Sequence, residues 1–174
     1  WSADGKWLAF ADHDHADALS AISLVSADTG ERRRLTTPPA ALYARGGDTQ
    51  PAFSFDGGSL AFARGGPVTA NAIFVLPLTP GGSPAGEPRR LTPDGANPYG
   101  LNWAPDSRAI VYCGPDGVQR IPADGRGASE AVLQGVRAQG FSVAPLARRA
   151  AYGVSVTDNN IWRIAALGNA PPTR

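Results

Sequence analysis

Ten residues at the start of this chain, Trp1-Ser2-Ala3-Asp4-Gly5-Lys6-Trp7-Leu8-Ala9-Phe10, are written again further on. That repetition restricts the possible folds more than any other feature. The stretch returns at Phe53-Ser54-Phe55-Asp56-Gly57-Gly58-Ser59-Leu60-Ala61-Phe62 and at Trp103-Ala104-Pro105-Asp106-Ser107-Arg108-Ala109-Ile110-Val111-Tyr112. A fourth, worn copy begins at Val143, so the unit is 40 to 52 residues long. Two further landmarks keep step with it. Ile22-Ser23-Leu24-Val25 recurs at Ile73-Phe74-Val75-Leu76, Val118-Gln119-Arg120-Ile121 and Ile161-Trp162-Arg163-Ile164. Arg34-Leu35-Thr36 recurs at Arg90-Leu91-Thr92, with an echo at Ala131-Val132-Leu133. Three landmarks in one order define a structural repeat.

Within each unit the apolar runs are short, rich in β-branched and aromatic residues, and punctuated by Gly, Pro, Asp and Asn. These are strand and turn signals, and no segment carries a helical stripe over three turns. Asp4-Gly5 and Asp56-Gly57 are structural turns: Asp accepts hydrogen bonds from its own turn, and Gly supplies the positive φ of a tight hairpin. Asp106 opens the same turn in the third copy, where Ser107 replaces Gly and predicts a looser connection, as Leu146-Ala147 does in the fourth. Each unit therefore reads as four antiparallel strands, A to D, a size and composition that fit a propeller blade. Leu8 and Phe10 are expected to pack between blades.

The expected fold class is all-β, a β-propeller of four-stranded antiparallel blades, here an arc of two complete and two partial blades. The blades are expected at 1–37 (partial), 48–93, 98–134 and 138–165 (partial), with a tail at 166–174. No strand A precedes Trp1, and Pro171-Pro172 discourages a further strand near the end. The expectation is a segment completed by blades from a longer parent chain or from a second chain.

The phrases Trp1 to Phe10, Ile22 to Val25 and Thr29-Gly30-Glu31-Arg32-Arg33-Arg34-Leu35-Thr36 resemble the TolB-type WD-like β-propeller repeat. The closing Val156-Thr157-Asp158-Asn159-Asn160-Ile161-Trp162-Arg163-Ile164 resembles the propeller sensor regions of bacterial winged-helix transcriptional regulators. That resemblance implies a non-catalytic scaffold binding a protein or ligand, in a periplasmic or extracytoplasmic portion of a larger protein. DNA would be bound by another part. Related repeats imply two alternatives: the substrate-gating propeller of a prolyl-oligopeptidase-type serine peptidase, and a TolB-like envelope protein.

Candidate binding residues lie on the B–C and D–A connections, which share one end of a propeller, where loops on a rigid scaffold carry recognition. Asp12-His13-Asp14-His15, followed by Asp17, alternates carboxylate and imidazole in a pattern that divalent cations accept, but its spacing in a loop is not diagnostic and it reads first as a solvated polar loop. No metal or other cofactor is expected. Tyr43, Arg45, Arg64 and Tyr99 together could form an aromatic–cationic patch suited to a protein partner or small ligand, against the simpler reading that each Tyr packs its ring over a blade edge.

Arg32-Arg33-Arg34 and Arg89-Arg90 sit on outer strands, where positive charge hinders edge-to-edge aggregation. The net charge of +1 gives no electrostatic reason to expect direct nucleic-acid binding. The single cysteine, Cys113, lies in apolar strand sequence and is expected to be buried and inert. No Gly-x-Ser-x-Gly elbow, HExxH helix or apolar run long enough to span a membrane is present.

Overall fold

A computed structural model describes residues 1–15, 18–39, 46–66, 71–93, 95–136, 138–144 and 149–154. Every regular element among them is a β-strand, and the strands form four antiparallel sheets in chain order. The first holds β1 (Trp7–Asp12), β2 (Ala21–Ser26) and β3 (Arg32–Arg34). The second holds β4 (Gly47–Phe53), β5 (Ser59–Gly65), β6 (Ala72–Pro77) and β7 (Arg89–Arg90). The third holds β8 (Leu101–Trp103), β9 (Ala109–Gly114), β10 (Gly117–Pro122) and β11 (Glu130–Gln134). The fourth is the hairpin of β12 (Ala138–Ala144) and β13 (Arg149–Val154). Ile161 to Ile164 and the tail lie outside the described residues. Each sheet is a blade, and the chain is an all-β arc of stacked blades.

The recurring decapeptide is a hairpin whose polar residues close its turn. Ser54 Oγ donates to Asp56 Oδ1 (2.6 Å) and accepts from Ser59 N, while Asp56 Oδ1 also accepts from Gly58 N (3.0 Å). Ser2, Asp4, Lys6 and Trp7 repeat the arrangement. The Ser54 hydroxyl, then the Gly58 N–H, hold the Asp56 carboxyl below its ordinary range, and the Ser2 hydroxyl, then the Lys6 N–H, do so for Asp4. The third turn is not looser. Ser107 takes the left-handed conformation at φ 56°, and its Oγ accepts from Asp56 N of the neighbouring blade at 3.1 Å. That inter-blade bond accompanies a conformation that non-glycine residues rarely adopt.

The Arg-Leu-Thr landmark joins strand D to strand C. Thr36 Oγ1 accepts from Ile22 N and Thr92 Oγ1 from Ile73 N, each at 2.8 Å and buried. Arg34 Nε and Arg90 Nε donate to the carbonyls of Thr36 and Thr92. The threonine thus completes the ladder where the strands part, and the arginine fixes the exit.

Side chains alternate across each blade. Leu60 and Phe62 turn towards the first blade and pack with Ile22, Leu24 and Leu76. Ala61 and Ala63 turn the other way, meeting Trp103, Ile110 and Tyr112 of the third blade. Burying each such large apolar side chain contributes about 1.5–3 kcal/mol. In the first blade it is Trp7 and Ala9 that meet the second blade. Leu8 and Phe10, the counterparts of Leu60 and Phe62, lie on the opposite face and are only half-buried. Cys113 is fully buried towards the fourth hairpin, beside Val118 and Ala138.

Two of the arginines on the outer strands, Arg33 and Arg89, also fasten their blade to the next one. Arg33 Nη2 donates to Gly81 O (2.7 Å) in the second blade, with its guanidinium 4.0 Å from the centre of the Trp7 ring. Arg89, one repeat later, reaches Ala123 O in the third blade. Both receiving turns carry a glycine at positive φ, Gly82 at 72° and Gly125 at 71°. A Cβ on Gly82 would stand 2.8 Å from Arg33 Nη2, and one on Gly125 would collide with Arg89 Nη1.

Candidate functional site

The long-loop end gathers the connections β1–β2, β3–β4, β5–β6 and β7–β8. In the third blade the β9–β10 connection shrinks to the tight turn Pro115–Asp116, so the loops are long only on the earlier blades. Asp12 closes β1, half-buried, with Oδ1 accepting from His13 N at 2.9 Å. His13, Asp14 and His15 are exposed, and Asp14 Oδ2 pairs with Arg34 Nη1 at 2.9 Å. Among the described residues no three metal-capable side chains converge. Tyr43, Arg45 and Asp17 lie outside the described residues.

Arg64 sits within β5 and is turned inward. Its Nε and Nη2 donate to Asp48 Oδ1 (2.6 Å) and Oδ2 (2.8 Å), a bidentate pair whose carboxylate is wholly buried. The guanidinium lies 5.2 Å from the Phe62 ring centre and 5.0 Å from that of Phe74. A cation held in this way has its Nε and Nη2 donors committed to the blade. Asp48 was not foreseen from sequence. Counting back from the hairpin turn pairs Thr49 with Arg64. A β-bulge between Thr49 and Ala52, with Gln50 at φ 54°, shifts the register so that Asp48 stands opposite Arg64 instead.

Tyr99 is the described aromatic candidate and is presented to solvent, at 60% exposure. Its loop is pinned on several sides. Asn71 N donates to Asn97 Oδ1 and Asn97 N to Asn71 O, both at 3.1 Å. Gln50 Nε2 donates to Pro98 O at 2.7 Å, and Tyr99 N to Cys113 O at 2.8 Å. An aromatic side chain held out on an ordered loop can bury its ring against a partner at small entropic cost. Cys113 offers no nucleophile, since burial pushes its thiol pKa upward.

No family model and no curated protein sequence matches the chain. Solved structures do. The chain is similar to TolB from Acinetobacter baumannii, with 19% identity and a TM-score of 0.69 over 92% of this chain and 38% of that one. It is similar to a putative TolB from Agrobacterium tumefaciens, with 20% identity and a TM-score of 0.71 over 93% of this chain and 55% of that one. A gluconolactonase from Xanthomonas campestris shares 15% identity, with a TM-score of 0.54 over 75% of this chain and 40% of that one. The chain thus spans between about a third and a little over half of these structures' lengths. One similar structure is described as a gluconolactonase, so the shared architecture does not select for or against catalysis. What the chain has in common with these structures is the fold, and by that fold it is a run of consecutive β-propeller blades.

Proposed function

We propose that this chain is a non-catalytic binding scaffold, the sensor region of a larger bacterial transcriptional regulator, recognising a protein or small ligand through its long-loop end. The observation that supports the reading is Tyr99, an exposed aromatic on a loop tied to two blades. At the same end of the arc Arg64 is paired with Asp48 and Asp14 with Arg34. Aromatic contact at Tyr99 takes the central part in recognition. The regulator assignment rests on the resemblance of Val156 to Ile164 to the sensor regions of winged-helix regulators.

The test uses the intact protein in its host. Tyr99→Ala should reproduce part of the transcript changes caused by deleting the gene, while the unfolding free energy moves by less than about 0.5 kcal/mol, as for an ordinary surface substitution. Hydrolysis of proline-containing peptides by the intact protein, with transcripts indifferent to both changes, would overturn the reading in favour of a substrate-gating propeller.

A further inference from the structure

The opposite end of the arc, where the decapeptide turns lie, holds a cleft between the second and third blades. It measures about 530 Å³, and its walls include Ser59, Glu87, Arg89, Trp103, Arg108 and Asp124. Clefts of about 300–1,000 Å³ are the usual size for small-molecule sites. Its origin is legible by comparison with the junction one blade earlier. Trp7 stands opposite Ser26 on β2, and Ser59 stands opposite Pro77 on β6, so the two occupy one position of the repeat. Arg33 opposite Leu24 and Arg89 opposite Val75 are likewise equivalent.

Between the first and second blades the Trp7 indole fills the junction. One face carries the Arg33 guanidinium at 4.0 Å, and its edge lies 3.7 Å from where a Cβ on Gly82 would stand. Between the second and third blades the same fittings are in place: Arg89 reaches across to Ala123 O, and Gly125 takes the role of Gly82. The indole is missing, because Ser59 replaces it. What remains is a slot with a cation on one wall, an indole (Trp103) on another, and both charge signs at its mouth.

We propose that this cleft binds a small planar aromatic ligand of the indole class, seated against Arg89 where Trp7 lies one repeat earlier. The guanidinium face attracts a π-system, and Trp103, whose Nε1 is already committed to Ala52 O at 2.8 Å, adds apolar wall. Arg108 and the carboxylates of Glu87 and Asp124 give a charged or zwitterionic substituent its partners at the rim. This inference stands apart from the reading of the long-loop end and survives its failure.

The full chain is titrated with indole while amide shifts of Ser59, Ser107 and Asp124 are followed by NMR, beside octahydroindol-2-one, a saturated bicyclic lactam that keeps an N–H and stays neutral. Saturable shifts confined to this cleft are expected with indole, and at least about tenfold weaker binding with octahydroindol-2-one. Ser59→Trp should fill the slot, abolish the shifts and leave the protein as stable as before or more so. Arg89→Met, which keeps the stem and removes the cation, should weaken binding by about tenfold. Trp7→Ser should open a second slot with shifts around Gly82. No saturable shift up to the solubility of indole, or equal binding of the saturated ring, would overturn the proposal. So would undiminished binding by a folded Ser59→Trp or Arg89→Met variant.

Discussion

Asp48 and Arg64 face one another across β4 and β5, with both carboxylate oxygens held by one guanidinium and the carboxylate sealed from solvent. Breaking a buried pair leaves an uncompensated charge. Arg64→Met is expected to cost about 3–5 kcal/mol, and Arg64→Lys to recover little, because a single ammonium cannot serve both oxygens. Replacing both partners, Asp48→Leu with Arg64→Met, should restore much of the loss. Urea unfolding of the three variants checks this, and a loss below about 1 kcal/mol for Arg64→Met would refute it.

Gly125 and Gly30 share a φ of 71° but differ in surroundings. A Cβ on Gly30 meets nothing within 4 Å, whereas one on Gly125 displaces Arg89. Gly30→Ala should cost about 1–2 kcal/mol from backbone conformation alone. Gly125→Ala should cost about 1 kcal/mol more, the worth of the lost bond to Ala123 O. In an Arg89→Ala background that excess should vanish. A double-mutant cycle by chemical denaturation reads the difference directly.

Asp56 makes the second turn sensitive to acid. Its folded carboxyl is held below the ordinary value by Ser54 and Gly58, so the turn is stabilised above the unfolded carboxylate pKa of about 3.9. That stabilisation is lost as the pH falls through the lower, folded value. Asp56→Asn should therefore be less stable than the parent at neutral pH, and the gap should narrow below about pH 4. The turn is largely solvated, so the neutral-pH gap should stay under about 1 kcal/mol. Urea midpoints across the acid range decide it, and a gap that widens on acidification would be the wrong sign.

Cys113 reports on the seam beneath the fourth hairpin. It is fully buried against Ala138, and burial raises its thiol pKa. Alkylation at pH 8 should run at least about a hundredfold slower than for a free thiol, because it waits for local opening. Ala138→Glu should speed labelling by disturbing that hairpin alone. Rapid labelling of the parent would show that the hairpin does not cover the thiol.

The repeat was legible because its polar residues do local work. Ser2, Asp4, Ser54 and Asp56 bond within their own turns, and Thr36 and Thr92 bond to the next strand, so the same letters recur wherever the same bonds are needed. Contacts between strands were harder to read. The Asp48–Arg64 pair depends on a bulge that shifts register by one residue, and Pro51 inside the strand signals an edge or a bulge without saying which or where the register moves. The reach of two arginines was hidden for a related reason. Sequence placed Arg33 and Arg89 on outer strands but did not reveal that their stems cross to glycines in the next blade. Ser107 looked like a weakened turn because its hydroxyl's donor, Asp56 N, comes from another repeat.

The arginine fastening is not continued. Glu130 stands opposite Arg120 on β10, at the position that Arg89 holds opposite Val75 on β6, and it is exposed, as β13 is along its length. The second and third blades are joined from rim to rim, by Gln50 to Pro98, Trp103 to Ala52, Asp56 to Ser107 and Arg89 to Ala123. A stretching force along the chain would consequently be borne unequally. The seam between the third blade and the fourth hairpin would yield at lower load than the seams among the first three blades, where Ser20 adds backbone bonds to Gly46 and Asp48 across the first junction.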